Sequence, residues 1–452
     1  MARTAATRLV QPVFHEPVFG EDGSLSDPTG FTTSHGSDTA LYKQIGDLSK
    51  KDVVAIPKSR FADDGMFALE DAYGKKSGPD VVKKIKANNQ IVFHALGDSG
   101  ASNSGKYPNE LRVADQLTLD SESAAEKDRA AFLFHLGDIV YNFGEARYYY
   151  DQFYEPFRNY PAPIFAIPGN HDSFVVPGTR PADMPLQTFQ RNFCSKQQAV
   201  ITTEAGSLHR TAMTQPGVYF TLDAPFVRII GLFSNALEDP GVISNLDKAR
   251  KWPVTNIQLD FLRAQLKLIK AQKYAGAVLL ATHHPAFSYS PPSKSGGAGG
   301  NHGCSTAMLQ QIDAICGEEG VYPHAFLAGH AHNYQRYTRI MDFGGREIDV
   351  PFVVCGDGGH NVNTLVRAKK GTTPVEPISS ADVMYLEGNA NSAKVKHLIL
   401  AKYDDHNYGY LRIQVDKDYL KIGFHQVGVR SLTQSRFDMV TVRLADHHMV
   451  AN

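Results

Sequence analysis

The sequence predicts an α/β fold on three observations. At five places a short apolar run is followed at once by residues such as Gly, Asp, Asn or His. Helical stretches separate the first three of these runs from one another, which favours βαβ units and parallel strands. From Lys396 onward the residues alternate in a β manner. In such folds the carboxyl ends of the strands carry the ligand site, so we expect the chemistry there.

The composition is that of an ordinary globular protein. The chain has 452 residues, of which 42% are hydrophobic and 21% charged, with a net charge of −1. At about 150 residues per domain this length suits three domains, and one large α/β domain with an extension fits as well. Because no global basic field is present, we expect neither nucleic acid nor an anionic membrane as partner. Nothing in the sequence indicates the oligomeric state.

The four cysteines predict no disulfide scaffold. Cys194, Cys304, Cys316 and Cys355 form no CxxC pair, so reduced thiols are expected, and a Cys304–Cys316 bridge is the alternative. No apolar run reaches about 18 residues, the length of a membrane span. The N-terminus lacks the apolar segment of a signal peptide. We therefore expect a cytoplasmic protein, and a periplasmic or secreted one is the alternative.

Residues 1–90 are irregular in pattern and predict an N-terminal extension that covers the main domain, with a separate small domain as the alternative. Within them, Gly78 to Asn89 is a candidate helix. Residues 91–440 form the predicted main domain, including the β-rich C-terminal part.

The main domain begins with three strands that end in polar turns. Their predicted cores are Ile91–Leu96, Phe132–Leu136 and Ile164–Ile167, which lead into Gly97-Asp98, Gly137-Asp138 and Gly169-Asn170-His171-Asp172. Gly permits the sharp turn that a residue with a Cβ would resist. The intervening stretches Glu110–Ala131 and Glu145–Phe157 are predicted to be helical.

The later elements follow the same pattern. A helix is expected over Pro181–Cys194 and a strand pair over Val218–Leu222 and Val227–Phe233. Thr255–Gln272 is the clearest helix, with a Thr255/Gln258 capping box and an apolar stripe at helical spacing. Further strands are expected over Ala277–Ala281, Ala325–Ala328 and Pro351–Cys355, a helix over Ser305–Cys316, and a hairpin turn at Asp416–Asp418.

The strand ends offer a mixed set of oxygen and nitrogen ligands, namely Asp98, Asp138, Asn170, His171, His283 or His284, His330 and His332. Such a set suits zinc, iron or manganese. It is too large for one ion and about right for two, which together form a clamp for hydrolysis at phosphorus.

Taken together, these motifs resemble the metallophosphoesterase superfamily. The blocks GDSG (97–100), GDIVY (137–141), GNHD (169–172), THHP (282–285) and GHAH (329–332) stand in the order of its signature. The resemblance implies an αββα sandwich of two mixed sheets flanked by helices, with a dinuclear centre at the sheet ends. It says little about residues 1–90.

Two positions narrow the resemblance to the purple acid phosphatases. Ser99 and Gly100 follow Asp98 where many relatives have a histidine, and Tyr141 stands three residues after Asp138. The resemblance implies a ferric ion held by Asp98, Asp138, Tyr141 and His332. It also implies a divalent ion (iron, zinc or manganese) held by Asp138, Asn170, His283 and His330.

The remaining roles rest on the same resemblance. His283 is preferred over His284 because Pro285 fixes the family's register and only one of two neighbours can face the site. His171 is expected to contact the phosphate, and Asn103 is a further candidate for substrate binding. His302, in the Gly-rich loop, is the candidate proton donor to the leaving alcohol.

The resemblance implies hydrolysis of small phosphomonoesters at mildly acidic pH, that is, an acid phosphatase with a metal-bound hydroxide as nucleophile. A phosphodiesterase or nucleotide-directed member of the superfamily is the alternative, and a scaffold without catalysis is the rival from another class. Four further residues have structural interpretations: His94 and His135 as interior histidines, His360 as part of a tight Gly turn, and Arg336 as a structural arginine as readily as a substrate ligand.

Overall fold

The computed structural model describes most of the chain, and every structural statement below concerns that part. The described residues are 30–36, 40, 44, 56–59, 65–176, 184–197, 200–206, 208, 213–234, 241–244, 255–288, 306–365, 397–428 and 435–451.

Two mixed sheets face each other and are flanked by helices, which confirms the predicted fold class. The eight-stranded sheet has the order β1-β5-β6-β7-β8-β10-β9-β11. Its strands are β1 Met66–Ala68, β5 Phe220–Ala224, β6 Val227–Gly231, β7 Ala277–Thr282, β8 Ala325–Ala328, β9 Tyr334–Phe343, β10 Arg346–Cys355 and β11 His397–Asp404.

The seven-stranded sheet has the order β15-β14-β13-β12-β2-β3-β4. Its strands are β2 Gln90–Leu96, β3 Leu133–His135, β4 Ile164–Ala166, β12 Gly409–Asp416, β13 Tyr419–Gln426, β14 Arg436–Arg443 and β15 Met449–Val450. Strands β2, β3 and β4 are parallel, as are β6, β7, β8 and β10. In each sheet the carboxyl ends of the parallel strands therefore lie on the same side, and the candidate site lies at these strand ends.

The helices are α1 Leu69–Ala87, α2 Tyr107–Ser123, α3 Asn170–Ser173, α4 Gln187–Phe193, α5 Ile257–Ala271 and α6 Thr306–Glu319. Leu262 and Leu266 of α5 are fully buried, so the predicted stripe is core. None of the helices among the described residues is long and apolar enough to span a membrane.

The core lies between the two sheets. Phe134 of β3 stacks on Phe220 of β5, with ring centroids 6.0 Å apart, and Phe67 of β1 packs edge-on against Phe165 of β4. Aromatic side chains bury large apolar areas and fill the space between sheets. This packing fixes the two sets of strand ends relative to each other.

Two local predictions are corrected. The segment 145–157 forms a short 3-10 turn (Ala146–Tyr148) and a π-helical turn (Tyr150–Tyr154) instead of an α-helix. Helix α5 begins after Asn256 without a side-chain cap. Gln258 instead bonds both the N–H and the C=O of Phe233, because that backbone is buried and needs partners.

The N-terminal boundary stays a prediction. Strand β1 pairs with β5 in parallel, so residues 66–68 belong to the eight-stranded sheet. The predicted helix from Gly78 is the second half of α1, which is kinked at Gly74. The cysteines described by the structure, Cys194, Cys316 and Cys355, are free thiols, and Cys304 lies outside the described residues.

Candidate metal centre

The two sheets meet where their strands end. Gly97 N donates to Cys355 O over 2.9 Å, and His283 Nδ1 donates to Leu136 O over 2.9 Å. Asp98, Asp138 and His330 have φ values of 60°, 56° and 69°. Residues other than glycine rarely adopt this left-handed region, and such strain clusters at functional sites.

One half of the site gathers four predicted ligands. His283 Nε2 lies 3.0 Å from Asn170 Oδ1 and 3.3 Å from Asp138 Oδ2. His330 Nδ1 lies 3.1 Å from Asn170 Oδ1. Ligand atoms of Asp138, His283 and His330 all lie within 4.8 Å of one another, and the three residues are buried. This mixed oxygen and nitrogen set fits a divalent ion.

The other half gathers Asp98, Tyr141 and His332. The Tyr141 hydroxyl donates to Asp98 Oδ1 over 2.8 Å and lies 3.2 Å from His332 Nε2. His332 Nε2 is 3.4 Å from Asp98 Oδ1. A carboxylate, a phenol and an imidazole therefore converge on one point, and this set fits a second metal ion.

The electrostatics of the site favour a cation. Burial raises the pKa of Asp98 to about 7, and the nearby charge of Asp138 adds to this effect. Burial also raises the pKa of Asp138, but the charges of His283 and His171 outweigh it and bring this pKa well below its usual range. Burial lowers the pKa of His283, but the Asp138 charge outweighs it and raises this pKa to about 9. Two buried carboxylates thus depend on a positive charge between them.

Asp172 ties two strand-end turns together. Its Oδ2 accepts the N–H groups of Asp138 and Gly169, each over 2.8 Å. Its Oδ1 accepts those of Ile139 and Val140, over 2.9 and 3.1 Å. Asp138 and the turn that carries Asn170 are therefore held by a single buried carboxylate. Gly169 leaves room for this arrangement, because a Cβ there would collide with Asp138 Oδ1.

His171 is more exposed than the proposed metal ligands around it. Its side chain is 13% exposed, whereas those of Asp138 and His283 are at most 1% exposed. Its Nδ1 donates to Asn142 O over 3.0 Å, which turns Nε2 to within 4.0 Å of Asp138 Oδ2. This geometry is compatible with the predicted phosphate contact.

His284 lies beside the site without facing Asp138. Its Nδ1 is 3.0 Å from Ser234 Oγ, and its ring centroid is 4.2 Å from that of His330. His283 is the member of the pair whose Nε2 points at Asp138 and Asn170.

Two sequence-predicted site residues remain, Asn103 and His302. Asn103 Oδ1 accepts the backbone N–H of Gly105 over 3.0 Å and of Lys106 over 3.2 Å, which shapes the turn before α2. Its contact with substrate stays a prediction. His302 lies outside the described residues.

His94 and His135 are hydrogen-bonded interior residues. His94 Nε2 bonds Asp120 over 2.7 Å and its Nδ1 bonds Tyr160 over 3.0 Å. His135 accepts Gly137 N at Nδ1, so its Nε2 donates to Ser99 Oγ over 2.9 Å. His135 therefore steadies the residue that follows Asp98.

Arg336 has a structural partner. Its Nε and Nη2 contact the two carboxylate oxygens of Asp438 over 2.6 and 3.1 Å, and Tyr334 donates to the same carboxylate over 2.7 Å. This fork joins β9 of one sheet to β14 of the other. These contacts support the interpretation of Arg336 as a structural arginine over that of a substrate ligand.

The sequence did not predict that His360 and Lys106 lie beside the site. The His360 ring stacks on Tyr141 with centroids 3.5 Å apart, although GDGGH predicted only a tight turn. Lys106 Nζ lies 2.9 Å from His360 Nε2. The sequence around Lys106 does not indicate this contact, because His360 lies 254 residues later in the chain.

Comparison with known proteins agrees with this geometry. The family model described as calcineurin-like phosphoesterase matches residues 91–356, more than half of the chain. A search of curated proteins finds no match.

Two solved structures are similar to this chain at low sequence identity. The structure titled "GAP50 the anchor in the inner membrane complex of Plasmodium" is 13% identical, with a TM-score of 0.44, 76% of this chain covered and 86% of that chain. The structure titled "Structure of PhoD" is 11% identical, with a TM-score of 0.46, 80% of this chain covered and 72% of that chain.

Proposed function

This chain belongs to the calcineurin-like phosphoesterase family, and we propose that it hydrolyses phosphomonoesters at a dinuclear centre of Fe(III) and a divalent ion. Asp98, Tyr141 and His332 would hold the ferric ion, Asn170, His283 and His330 the divalent ion, and Asp138 both. When bound, the two ions would supply an activated water as nucleophile and positive charge for the phosphoryl oxygens.

The observation that carries the ferric assignment is the position of Tyr141. Its hydroxyl is 2.8 Å from Asp98 and 3.2 Å from His332, at the point where the second ion would lie. The first block offers Ser99 and Gly100 in place of a histidine. A phenolate is a hard anionic ligand and suits a trivalent ion, which supports iron over a pair of divalent ions.

The residues of the chain have separate tasks in this proposal. Asp138 offers two oxygens, of which Oδ1 accepts His171 N over 2.9 Å and Oδ2 faces His283. A carboxylate bridges two cations well because it has two oxygens and a negative charge. His171, held by Asn142 O, presents Nε2 to the phosphoryl group. His302 is proposed to protonate the leaving alcohol.

The experiment that tests the proposal compares a monoester with a diester. Protein loaded with iron and either zinc or manganese is assayed between pH 4 and 9 with 4-nitrophenyl phosphate and bis(4-nitrophenyl) phosphate. We expect kcat/KM to be higher for the monoester and highest at mildly acidic pH. A higher kcat/KM for the diester would contradict the proposal in favour of a phosphodiesterase, and no hydrolysis of either would favour a non-catalytic scaffold.

The proposed partner is a small phosphomonoester, without nucleic acid or membrane, and the proposed location is the cytoplasm. The near-zero net charge of −1 supports the proposal that neither nucleic acid nor a membrane is a partner, since no global basic field would attract a polyanion.

A further inference from the structure

Lys106 is attached to the candidate site through His360. Its Nζ lies 2.9 Å from His360 Nε2. The Asn361 amide has hydrogen-bond partners for both of its polar atoms in one orientation. In that orientation its nitrogen donates to His360 O over 2.9 Å and its oxygen accepts from Lys106 Nζ over 3.3 Å. The lysine is half-buried, so its ammonium is held in one place beside the site.

The direction of these bonds is fixed by His360. Its Nδ1 lies 2.6 Å from Gly100 O, and a carbonyl only accepts, so the Nδ1 hydrogen points there. The Lys106 ammonium can only donate, so its contact of 2.9 Å with Nε2 requires a neutral imidazole ring. Its Nε2 then carries a lone pair that accepts from the Lys106 ammonium.

No carboxylate among the described residues pairs with Lys106. Within the part of the chain that the structure describes, its ammonium contacts only the neutral groups of His360 and Asn361. Burial lowers the pKa of Lys106 to about 8, so the side chain is still mostly charged at pH 7. A half-buried charge without a counter-ion is costly, and an anion bound there would offset that cost.

The anion held by Lys106 is not the phosphoryl group that faces His171. Tyr141 lies between them, with His171 4.3 Å from its ring centroid and His360 stacked on it at 3.5 Å. The two imidazoles are thus separated by the phenol ring, and Lys106 lies beyond His360. An anion at Lys106 is therefore a different group from the one at His171.

We propose that Lys106 binds a second anionic group of the substrate, a carboxylate or phosphate carried by the alcohol, and that His360 positions the lysine for it. This inference rests on the proposed function. It assigns the enzyme to phosphomonoesters whose alcohol bears a further negative charge.

The test measures binding of non-hydrolysable phosphonates to the metal-loaded protein by titration calorimetry. ω-Phosphonocarboxylates with two to four carbons are each compared with the alkylphosphonate of the same length. In the wild type we expect at least one phosphonocarboxylate to bind about tenfold tighter than its alkyl counterpart, the usual size of a charged hydrogen bond. K106Q should bring this ratio to about one, and K106R should keep most of it.

The control variant is K83Q, which removes an exposed lysine of α1 and the same unit of charge. It should leave the ratio unchanged. The inference is overturned if no phosphonocarboxylate is preferred, if no phosphonate binds, or if K106Q keeps the wild-type ratio. Melting temperatures of the variants confirm that each is folded when titrated.

Failure of this inference is distinguishable from failure of the proposed function. 4-Nitrophenyl phosphate has no second anionic group, so its hydrolysis by the wild type tests the proposed function alone. Hydrolysis without a preference among phosphonates would contradict only the role of Lys106. A preference that depends on Lys106 without hydrolysis would contradict only the proposed catalysis.

Discussion

Tyr141 donates its hydroxyl hydrogen to Asp98 Oδ1 over 2.8 Å, although 43 residues separate the two in the chain. Burial and the charges of Asp138 and Asp98 raise the pKa of Tyr141 well above its usual range. The phenol therefore stays protonated among carboxylates alone, and a bound trivalent cation is what would convert it to a phenolate ligand. This relationship makes Tyr141 the residue on which the choice of metal depends.

The first prediction concerns colour. Iron-loaded wild-type protein should show a visible absorption band from tyrosinate-to-iron charge transfer, and Tyr141→Phe should lack it because the phenolate ligand is gone. Absorption spectra at matched iron content provide the measurement. Tyr410→Phe, which alters a buried tyrosine of β12, should keep the band. A colourless wild type, or a Tyr141→Phe protein with the band intact, would refute the ligand assignment.

The second prediction concerns the shared carboxylate. Asp138→Asn should lose both ions and reduce kcat by at least about a thousandfold, since an amide supplies one oxygen and no charge. Metal analysis after gel filtration measures the content of each ion. Asp260→Asn, an exposed change on α5, should retain both. A variant that keeps two ions and its activity would show that Asp138 does not bridge them.

The third prediction concerns Asp172, which touches no proposed metal position. Its four backbone hydrogen bonds hold Asp138 and Asn170 in register. In Asp172→Asn an NH₂ group must face N–H donors, so we expect about 2 kcal/mol lower stability and about 10- to 100-fold weaker metal binding. Urea unfolding of the metal-free protein and metal titration separate the two effects. Unchanged metal affinity would mean that the turns carrying Asp138 and Asn170 keep their positions without the Asp172 carboxylate.

The fourth prediction tests the structural role of Arg336. Asp438→Asn breaks the forked contact between the sheets and should cost about 2 kcal/mol of unfolding free energy, with activity retained. Burial raises the pKa of Asp438, but the Arg336 hydrogen bond and charge outweigh it and lower this pKa below its ordinary value. The pair therefore stabilises above about pH 4, and the difference between wild type and variant should shrink below that pH as Asp438 is protonated.

Urea unfolding at pH 7 and at pH 3.5 measures this difference. Asp446→Asn is the matched control, because its Arg443 pair has the same forked form at a more exposed position and should have a smaller effect. Loss of activity in Asp438→Asn with unchanged stability would instead favour a role for Arg336 at the substrate.

The fifth prediction concerns the proton donor. His302→Ala should reduce kcat for ethyl phosphate more than for 4-nitrophenyl phosphate, because a poor leaving alcohol needs protonation and nitrophenolate does not. Steady-state kinetics on both esters gives the comparison, with His406→Ala as an exposed control. An equal loss on both esters would argue against proton donation by His302.

Local patterns were sufficient to predict most strands and the site blocks. Strand β8 begins and ends at the predicted residues, and β2, β3 and β4 lead into the predicted turns. The pattern failed where tertiary contacts override local preference. Gln258 fits a capping box by spacing, yet it bonds the buried backbone at Phe233, 25 residues away. The segment 145–157 is predicted to be helical, yet it forms a 3-10 turn and a π-helical turn whose aromatic side chains pack in the core.

The sequence by itself determined the fold class and the residue types at five strand ends, because strand periodicity, glycine turns and metal-binding side chains are local properties of the chain. Only the tertiary structure decided how these ends meet. It paired Tyr141 with Asp98, gave Asp172 four backbone donors, joined Arg336 to Asp438 and placed Lys106 against His360. Apart from the bond between Asp172 and Gly169, these contacts link turns or strands far apart in the chain. Their distances depend on how the two sheets pack, which no local pattern encodes.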